Sequence, residues 1–125
     1  MKEIVQTDRG PKPIGPYSVV VKANGFLYLS GQTPLNPETG QMTGSNISEQ
    51  TERVMDNIKA ILESAGANLH HVVKTTVFLK NMNDFAAMNE VYGRYFLTAP
   101  PARSTVEVAR LPKDALVEIE VIALV

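Results

Sequence analysis

The residue with the clearest chemical potential in this sequence is Arg103, which follows the Pro-rich segment 99–102 and begins a run rich in β-branched residues. We predict a strand over residues 103–108, with residues 104–106 largely buried. A guanidinium held on a strand presents a fixed fork of N–H donors that matches a carboxylate. A buried guanidinium also needs an anion to offset its lost hydration. Arg103 therefore predicts a carboxylate partner.

Two acids near the end of the chain, Glu118 and Glu120, are the candidates for that partner. If the last two strands pair as an antiparallel hairpin, Arg103 and Glu118 lie opposite each other. One interpretation is a structural ion pair, since such networks also place acids beside arginines. The other is a small pocket in which Arg103 holds a substrate carboxylate and Glu118 handles protons. Burial would raise the pKa of Glu118 and a nearby Arg103 would lower it.

Other chemistry-bearing residues give weaker signals. Ser30-Gly31 ends a predicted strand, so the Ser30 hydroxyl either caps the following loop or faces a ligand. The adjacent His70 and His71 have side chains that diverge in regular structure, which predicts a solvated turn rather than a metal site. The sequence has no Gly-rich nucleotide motif and no nucleophile elbow. Nucleotide cofactors therefore have no support.

The composition describes one ordinary globular domain. The 125 residues include 12 Lys plus Arg, 13 Asp plus Glu and no cysteine, which excludes thiolate chemistry and Cys-ligated zinc. A net charge of −1 without a basic run argues against nucleic-acid binding. No apolar signal segment is present at the N-terminus, and the apolar run 121–125 falls far short of the ~20 residues that span a bilayer. We expect a cytoplasmic protein.

Hydrophobic periodicity and turn residues predict the elements that would position these side chains. Strands are expected over 17–22 and 26–30 around the turn dipeptide Asn24-Gly25, and then over 72–79, 103–108 and 116–124. One helix begins at Asn46, which with Glu49 resembles a capping box, and stops at Gly66. A second helix begins within 81–84 and ends before Pro100-Pro101. The order is ββαβαββ, an α+β domain with a five-stranded sheet.

Two helices cover only one face of such a sheet. In the last strand, Val117 and every second residue after it suit the helix face. Glu118 and Glu120 share the other face with apolar neighbours, which predicts a partly wet interface with other copies of the chain. We therefore expect a homo-oligomer.

Around Arg103 and Glu118 the sequence resembles the RidA family, also called the YjgF family. The resemblance rests on Pro101-Ala102-Arg103-Ser104-Thr105-Val106-Glu107-Val108-Ala109-Arg110-Leu111 and Val117-Glu118-Ile119-Glu120. Further similar blocks follow in the family's order: Ile14-Gly15-Pro16-Tyr17-Ser18, Ser30-Gly31-Gln32, Asp56-Asn57-Ile58, Val73-Lys74-Thr75-Thr76-Val77-Phe78 and Asp84-Phe85. The resemblance covers essentially the whole chain. It implies a chorismate-mutase-like α+β single domain over 1–125, with two helices on one face of a mixed sheet.

The resemblance also implies an assembly and an activity. The family forms homotrimers in which the sheets make a central barrel, with sites in the clefts between subunits. Its members deaminate reactive enamines and imines, chiefly 2-aminoacrylate and 2-aminocrotonate, to 2-oxo acids and ammonia without cofactor or metal. By resemblance Arg103 holds the substrate carboxylate and Glu118 positions the attacking water. Five further positions match the family's pocket, with Tyr17 expected from the adjacent subunit: Tyr17, Ser30, Gly31, Asn89 and Thr105.

Two positions depart from the family pattern, and two other functions stay open. Thr105 stands where many relatives have cysteine, and Val19 replaces a glutamine common after the Tyr-Ser pair. The first alternative is a non-catalytic regulator that binds 2-oxo acids or other small carboxylates in the same cleft. The second is the endoribonuclease or translation-inhibitor activity attributed to some relatives, against which the near-neutral charge argues.

Overall fold

One mixed sheet of six strands forms the frame of the molecule. The computed structural model describes all of residues 1–125. In chain order the elements are β1 Glu3–Val5, β2 Val20–Ala23, β3 Phe26–Gln32, α1 Ile47–Ser64, β4 Val72–Leu79, α2 Phe85–Tyr95, β5 Ala102–Glu107 and β6 Val117–Leu124. The predicted α+β class and the two helices are confirmed. The sequence reading missed β1, because three residues are too short to carry a period-two pattern.

The strand order is β1-β2-β3-β6-β4-β5, and all neighbours are antiparallel except the parallel pair β4 and β5. The expectation that the last two strands form a hairpin is therefore wrong. The reason is the helix between β4 and β5, because a strand-helix-strand crossover lays its two strands parallel and side by side. The remaining hydrogen-bonding edge of β4 is then taken by β6, which also pairs with β3.

Local sequence signals fix the ends of the first helix and of the first hairpin. The Asn46 side chain accepts the Glu49 N–H at 2.9 Å, and the Glu49 carboxylate accepts the Ser45 N–H at 2.9 Å. The first bond satisfies an N–H group that the first helical turn leaves free, and the second ties the residue before the cap to the helix. Gly66 stops the chain in the left-handed region at φ 86°. Asn24 at φ 51° and Gly25 at φ 80° make the tight β2–β3 turn, as predicted.

Both helices pack on one face of the sheet and enclose the apolar core. β6 contributes alternate residues to it, and these are buried as predicted: Val117, Ile119, Val121 and Ala123. They meet apolar side chains of α1, among them Ile58, Ile61 and Leu62. Burying each such aliphatic side chain is worth about 1.5–3 kcal/mol, which decides the face on which the helices lie. No helix in the structure is long and apolar enough to cross a membrane.

The other face of the sheet carries no helix. Tyr28 on this face is 44% exposed and Val106 is 42% exposed. Ser104 is exposed as well, so the expectation that residues 104–106 are largely buried is wrong for the single chain. The reason is that β5 is an edge strand of the sheet, and alternate residues of such a strand point away from the helices.

Candidate functional site

A cavity of about 330 Å³ opens beside the start of β2 and the end of β3 on the face without helices. Four of the predicted site residues line it: Tyr17, Ser30, Gly31 and Glu118. Glu118 reaches the cavity because it alternates along β6 with the buried Val117 and Ile119. This volume falls within the ~300–1,000 Å³ typical of small-molecule sites.

Gly31 and Glu118 make the tightest contact in this cavity. A Cβ atom built on Gly31 would overlap the Glu118 carboxylate, so only a glycine lets this acid lie against the β3 backbone. Gly31 sits at the irregularity where the register between β3 and β6 shifts, between Leu29 and Gln32. A bulge of this kind commonly re-aims a side chain next to a functional site.

The environment of Glu118 favours its protonated form. Burial raises the pKa of the Glu118 carboxyl above its ordinary value of 4.5, and repulsion from Glu120 raises it further. Glu120 lies two residues along the same strand face, and Arg103 makes no contribution. Of the two opposing effects considered from the sequence, burial decides the direction. A carboxyl with a raised pKa holds its proton more readily than an exposed acid, and general acid–base catalysis requires a group that accepts and returns a proton.

Ser30 offers the cavity an acceptor rather than a donor. Its hydroxyl donates to the Ser18 carbonyl at 2.6 Å, and its N–H donates to the Val19 carbonyl at 2.9 Å. Because a hydroxyl has one proton and two lone pairs, the Ser30 Oγ keeps only accepting capacity. The serine therefore caps the chain entry to β2 and still has lone pairs for a ligand.

Tyr17 lies outside the predicted strand 17–22, because β2 begins only at Val20. Its ring is 46% exposed, and its hydroxyl accepts the Ile14 N–H at 3.4 Å. Tyr17 thus forms part of a loop that borders the cavity. Lys12 is the one cation among the lining residues, and the sequence did not predict it as a site residue.

Arg103 lies on the opposite side of the sheet, beneath α2. Its guanidinium carbon is 5.5 Å from the centre of the Phe85 ring and 4.9 Å from that of the Tyr92 ring. The Tyr92 hydroxyl shares a 2.7 Å hydrogen bond with Thr75, the β4 residue paired with Arg103. The chain's two ion pairs, Arg94–Glu90 and Arg110–Asp114, both exclude Arg103. The predicted structural ion pair of Arg103 is therefore absent.

Asn89 and Thr105 lie near Arg103 in the fold. Thr105 follows Arg103 by two residues on the same face of β5, and Asn89 lies on α2 between Phe85 and Tyr92. The Asn89 Oδ1 and the Thr105 Oγ1 are both buried without a hydrogen-bond partner. Both atoms therefore keep an unused capacity for a hydrogen bond, as do the Thr51 Oγ1 and the Arg53 Nε of α1.

The aromatic residues around Arg103 were not predicted as site residues. Phe85, Asn89 and Tyr92 are spaced by four and three residues, which places all three on one stripe of a helix. That spacing is visible in the sequence, where Phe85 and Tyr92 belong to the apolar stripe that predicts only core packing for this helix. An asparagine within such a stripe was the available signal.

The predicted site thus divides into two groups within one chain. The first, with Glu118, lies on the face without helices; the second, with Arg103, lies beneath α2. The strand β4 separates β5 from β6, so Arg103 and Glu118 are not opposite each other. His70 and His71 belong to neither group. They occupy a short helical turn in which the His71 Nδ1 accepts the Asn68 N–H at 3.0 Å, as expected for a turn.

Three comparisons relate this chain to known proteins. The family model described as Endoribonuclease L-PSP matches residues 7–125. A RutC family protein of Pyrococcus abyssi is 58% identical over 122 residues, covering 98% of this chain and 96% of that protein. Reactive Intermediate Deaminase A, chloroplastic, of Arabidopsis thaliana is 47% identical over 98% of this chain and 65% of that protein. The crystal structure of E. coli TdcF with bound serine has a TM-score of 0.93 and 41% identity, covering 98% of each chain.

Proposed function

The chain belongs to the Endoribonuclease L-PSP family, which includes the RutC and Rid (YjgF) proteins, and on that premise we propose that it is a hydrolytic enamine/imine deaminase. Its substrates are the imine tautomers of 2-aminoacrylate and 2-aminocrotonate, and its products are 2-oxo acids and ammonia. This activity protects pyridoxal-phosphate enzymes from these reactive intermediates. One relative carries the name of a reactive intermediate deaminase, whereas most relatives carry only a family name.

The observation that carries the proposal is the state of Glu118. Its carboxyl is half-buried in a cavity of ligand size, and its pKa is raised by burial and by Glu120. An acid with a purely structural role would be stabilised in its ionised form by water or by an ion pair, and Glu118 has no ion-pair partner. An acid in this state suits general acid–base catalysis, which is typically worth ~10²–10⁴-fold.

In the proposed reaction water adds to C2 of the protonated imine. A C–O bond forms, and the C=N double bond becomes a single bond as its electron pair moves to nitrogen. Glu118 takes a proton from the attacking water and returns it to that nitrogen. The C–N bond of the carbinolamine then breaks as a hydroxyl electron pair forms the 2-oxo group. Ammonia leaves, and the hydroxyl proton passes to it, giving ammonium.

Ser30 and Gly31 support this chemistry from the same cavity. The accepting Ser30 Oγ suits an N–H of the imine or a proton of the water, because its own proton is held by the Ser18 carbonyl. Gly31 leaves room for the Glu118 carboxylate against the backbone. Both contacts favour one orientation of the acid, and a fixed orientation is what a positioned attack requires.

Arg103 is proposed to hold the substrate carboxylate, together with the unpartnered polar atoms of Asn89 and Thr105. Its guanidinium lies over the rings of Phe85 and Tyr92 and has no ion-pair partner in the chain. Because Arg103 and Glu118 are apart within one chain, a complete site requires a second copy. We propose the homotrimer, with the face of the sheet that carries no helices turned toward the centre.

A second candidate function is small-carboxylate binding without turnover. The structure of the relative TdcF holds serine, a small molecule that carries a carboxylate and an amine. The same contacts would serve a sensor. The endoribonuclease activity in the family's name stays an alternative to be tested, although the net charge of −1 offers no phosphate-binding patch.

The test couples a pyridoxal-phosphate-dependent serine/threonine dehydratase to this protein and follows the release of pyruvate or 2-oxobutanoate. We expect faster release with the wild-type chain and no acceleration with Arg103→Ala. Lys12→Ala is the matched control, because Lys12 is the one cation that lines the Glu118 cavity in the same chain. It should retain most of the acceleration.

The outcomes separate the candidates. No acceleration by a well-folded wild-type protein that binds 2-oxobutanoate in calorimetry would replace the deaminase with the carboxylate sensor. Acceleration lost in Lys12→Ala but kept in Arg103→Ala would assign the substrate carboxylate to Lys12 instead. RNA cleavage that survives both substitutions would point to another site or a contaminant.

A further inference from the structure

Val19 lies next to Ser30, although it does not belong to the positions that the family resemblance assigns to the pocket. The Ser30 N–H donates to the Val19 carbonyl at 2.9 Å, which continues the antiparallel pairing of Val20 with Leu29 by one residue. Residues paired in this way have Cβ atoms about 4.5–5.5 Å apart. Both residues line the Glu118 cavity.

Val19 is one of several apolar residues in the cavity lining. Ile14, Leu35 and Pro112 line the same cavity, and Leu35 is only 5% exposed. Polar residues line it as well, among them Lys12, Ser30, Gln32 and Glu118. The lining therefore combines groups that can exchange a proton with apolar side chains that offer no hydrogen bonds to a ligand.

We propose that Val19 is a specificity-determining residue that forms an apolar subsite for the side chain of the 2-imino acid. This inference rests on the proposed deaminase function. In the proposed reaction, C2 and the nitrogen of the substrate lie at Glu118, and Arg103 holds its carboxylate. The side chain is then the one substituent of C2 that is still without a binding site. An aliphatic side chain gains by leaving water for this subsite, whereas a polar one loses hydrogen bonds there.

A glutamine at position 19, as in the family pattern that the sequence resembles, would change this lining. A glutamine amide next to Ser30 would bring two donors and an acceptor into the cavity, and each would need a partner when the ligand displaces water. Valine removes that requirement. The departure at Val19 thus predicts a preference for longer aliphatic side chains over polar ones in this chain.

The experiment generates imines in place with an L-amino-acid oxidase and catalase, from alanine, 2-aminobutyrate, leucine and glutamine. Hydrolysis is measured as the loss of semicarbazide-trapped imine. The readout is the ratio of kcat/KM for the leucine-derived imine to that for the alanine-derived imine. A ratio cancels global effects on folding or assembly.

We expect Val19→Gln to lower this ratio about tenfold and to raise relative activity on the glutamine-derived imine, because methylene contacts in a pocket are worth about that much. Val19→Ile keeps the subsite apolar and keeps the packing of Val19 against the core. The larger isoleucine narrows the cavity, so the leucine-to-alanine ratio should fall in this variant too. The relative activity on the glutamine-derived imine should not rise. Val21→Gln is the matched control, since Val21 of β2 pairs with Tyr28 of β3 and does not line the cavity.

An unchanged ratio in both Val19 variants, with normal turnover of the alanine-derived imine, would overturn the subsite. An equal shift in Val21→Gln would also overturn it, because the effect would then belong to the sheet face and not to the cavity. Failure of the wild-type protein to hydrolyse any of the four imines would instead overturn the deaminase function itself.

Discussion

Arg103 and Glu118 lie on opposite faces of one sheet, and the strand β4 separates the strands that carry them. The guanidinium lies over the rings of Phe85 and Tyr92 beneath α2, whereas the carboxyl lines a cavity on the face without helices. The residues proposed for the site therefore form two separate half-sites in a single chain, one around Arg103 and one around Glu118. This separation makes assembly a requirement of the proposed chemistry.

Mixing two inactive variants tests that requirement. Arg103→Ala and Glu118→Gln should each be inactive alone, because each lacks one half-site. Mixed trimers formed by unfolding and refolding an equimolar mixture should regain activity at about a quarter of the sites, the fraction that random mixing gives for two intact halves. The dehydratase-coupled assay measures the recovery. The control mixes Arg103→Ala with a chain that carries both Arg103→Ala and Glu118→Gln, so that no subunit supplies Arg103. Recovery in the control mixture, or no recovery in the first mixture, would contradict a shared site.

Gly31→Ala should displace the Glu118 carboxylate without unfolding the protein. The added Cβ would overlap the Glu118 carboxylate, so the acid must move away from β3. A displacement of about 1 Å at a reacting group costs ~10²-fold in kcat. Steady-state kinetics should show this loss mainly in kcat rather than in KM. Gly93→Ala is the matched control, since nothing lies within 4 Å of a Cβ at that helix position. Equal kinetics for both variants would remove Gly31 from the site.

The pH dependence of activity and that of stability should have opposite signs at Glu118. Its pKa is raised above 4.5, so kcat/KM should fall as the pH drops through that raised value and the base becomes protonated. A raised pKa in the folded state means that ionised Glu118 destabilises the fold as the pH rises through that value. Glu118→Gln should therefore be inactive and slightly more stable at neutral pH.

The size of this stability gain is modest. Glu118 is only half-buried, so solvent screening keeps the gain small. Urea unfolding at several pH values measures it, and the difference between the two proteins should vanish below pH 4.5. A difference that grows toward low pH would contradict the direction of the shift.

Tyr92→Phe should weaken the fold while leaving the ring beneath Arg103. The substitution removes the 2.7 Å hydrogen bond to the fully buried Thr75 and leaves that hydroxyl without a partner. Such a loss costs about 1–3 kcal/mol. Tyr95→Phe removes a surface hydrogen bond to Asp56 from the same helix, where water replaces it, and should cost less. Urea unfolding compares the two variants, and an equal cost would argue against a special role of burial.

Asn46→Ala should cost about 1 kcal/mol, since the side chain is the hydrogen-bonded cap of α1. The substitution leaves the Glu49 N–H without its acceptor and does not touch either half-site. Unfolding experiments should therefore show a lower stability with unchanged kcat/KM. A parallel loss of activity would indicate that α1 positions the site.

The sequence by itself determined the features that depend on neighbouring residues. Asn46, Gly66 and the Asn24-Gly25 turn set the ends of elements through hydrogen bonds and dihedral angles within a few positions. The alternation of apolar and acidic residues around Glu118 predicted which side chains of β6 face the helices, because successive side chains of a strand point to opposite faces of the sheet. The resemblance around Arg103 and Glu118 named the candidate residues of the site, four of which line one cavity.

Only the tertiary structure decided how those residues are arranged. The crossover through α2 places β5 beside β4 and leaves β6 to pair between β3 and β4, so the expected hairpin does not form. Strand pairing depends on contacts between residues far apart in the chain, and no local pattern encodes them. The direction of the Glu118 pKa shift also depends on the tertiary structure, because folding sets both the burial of this carboxyl and its distance to other charges.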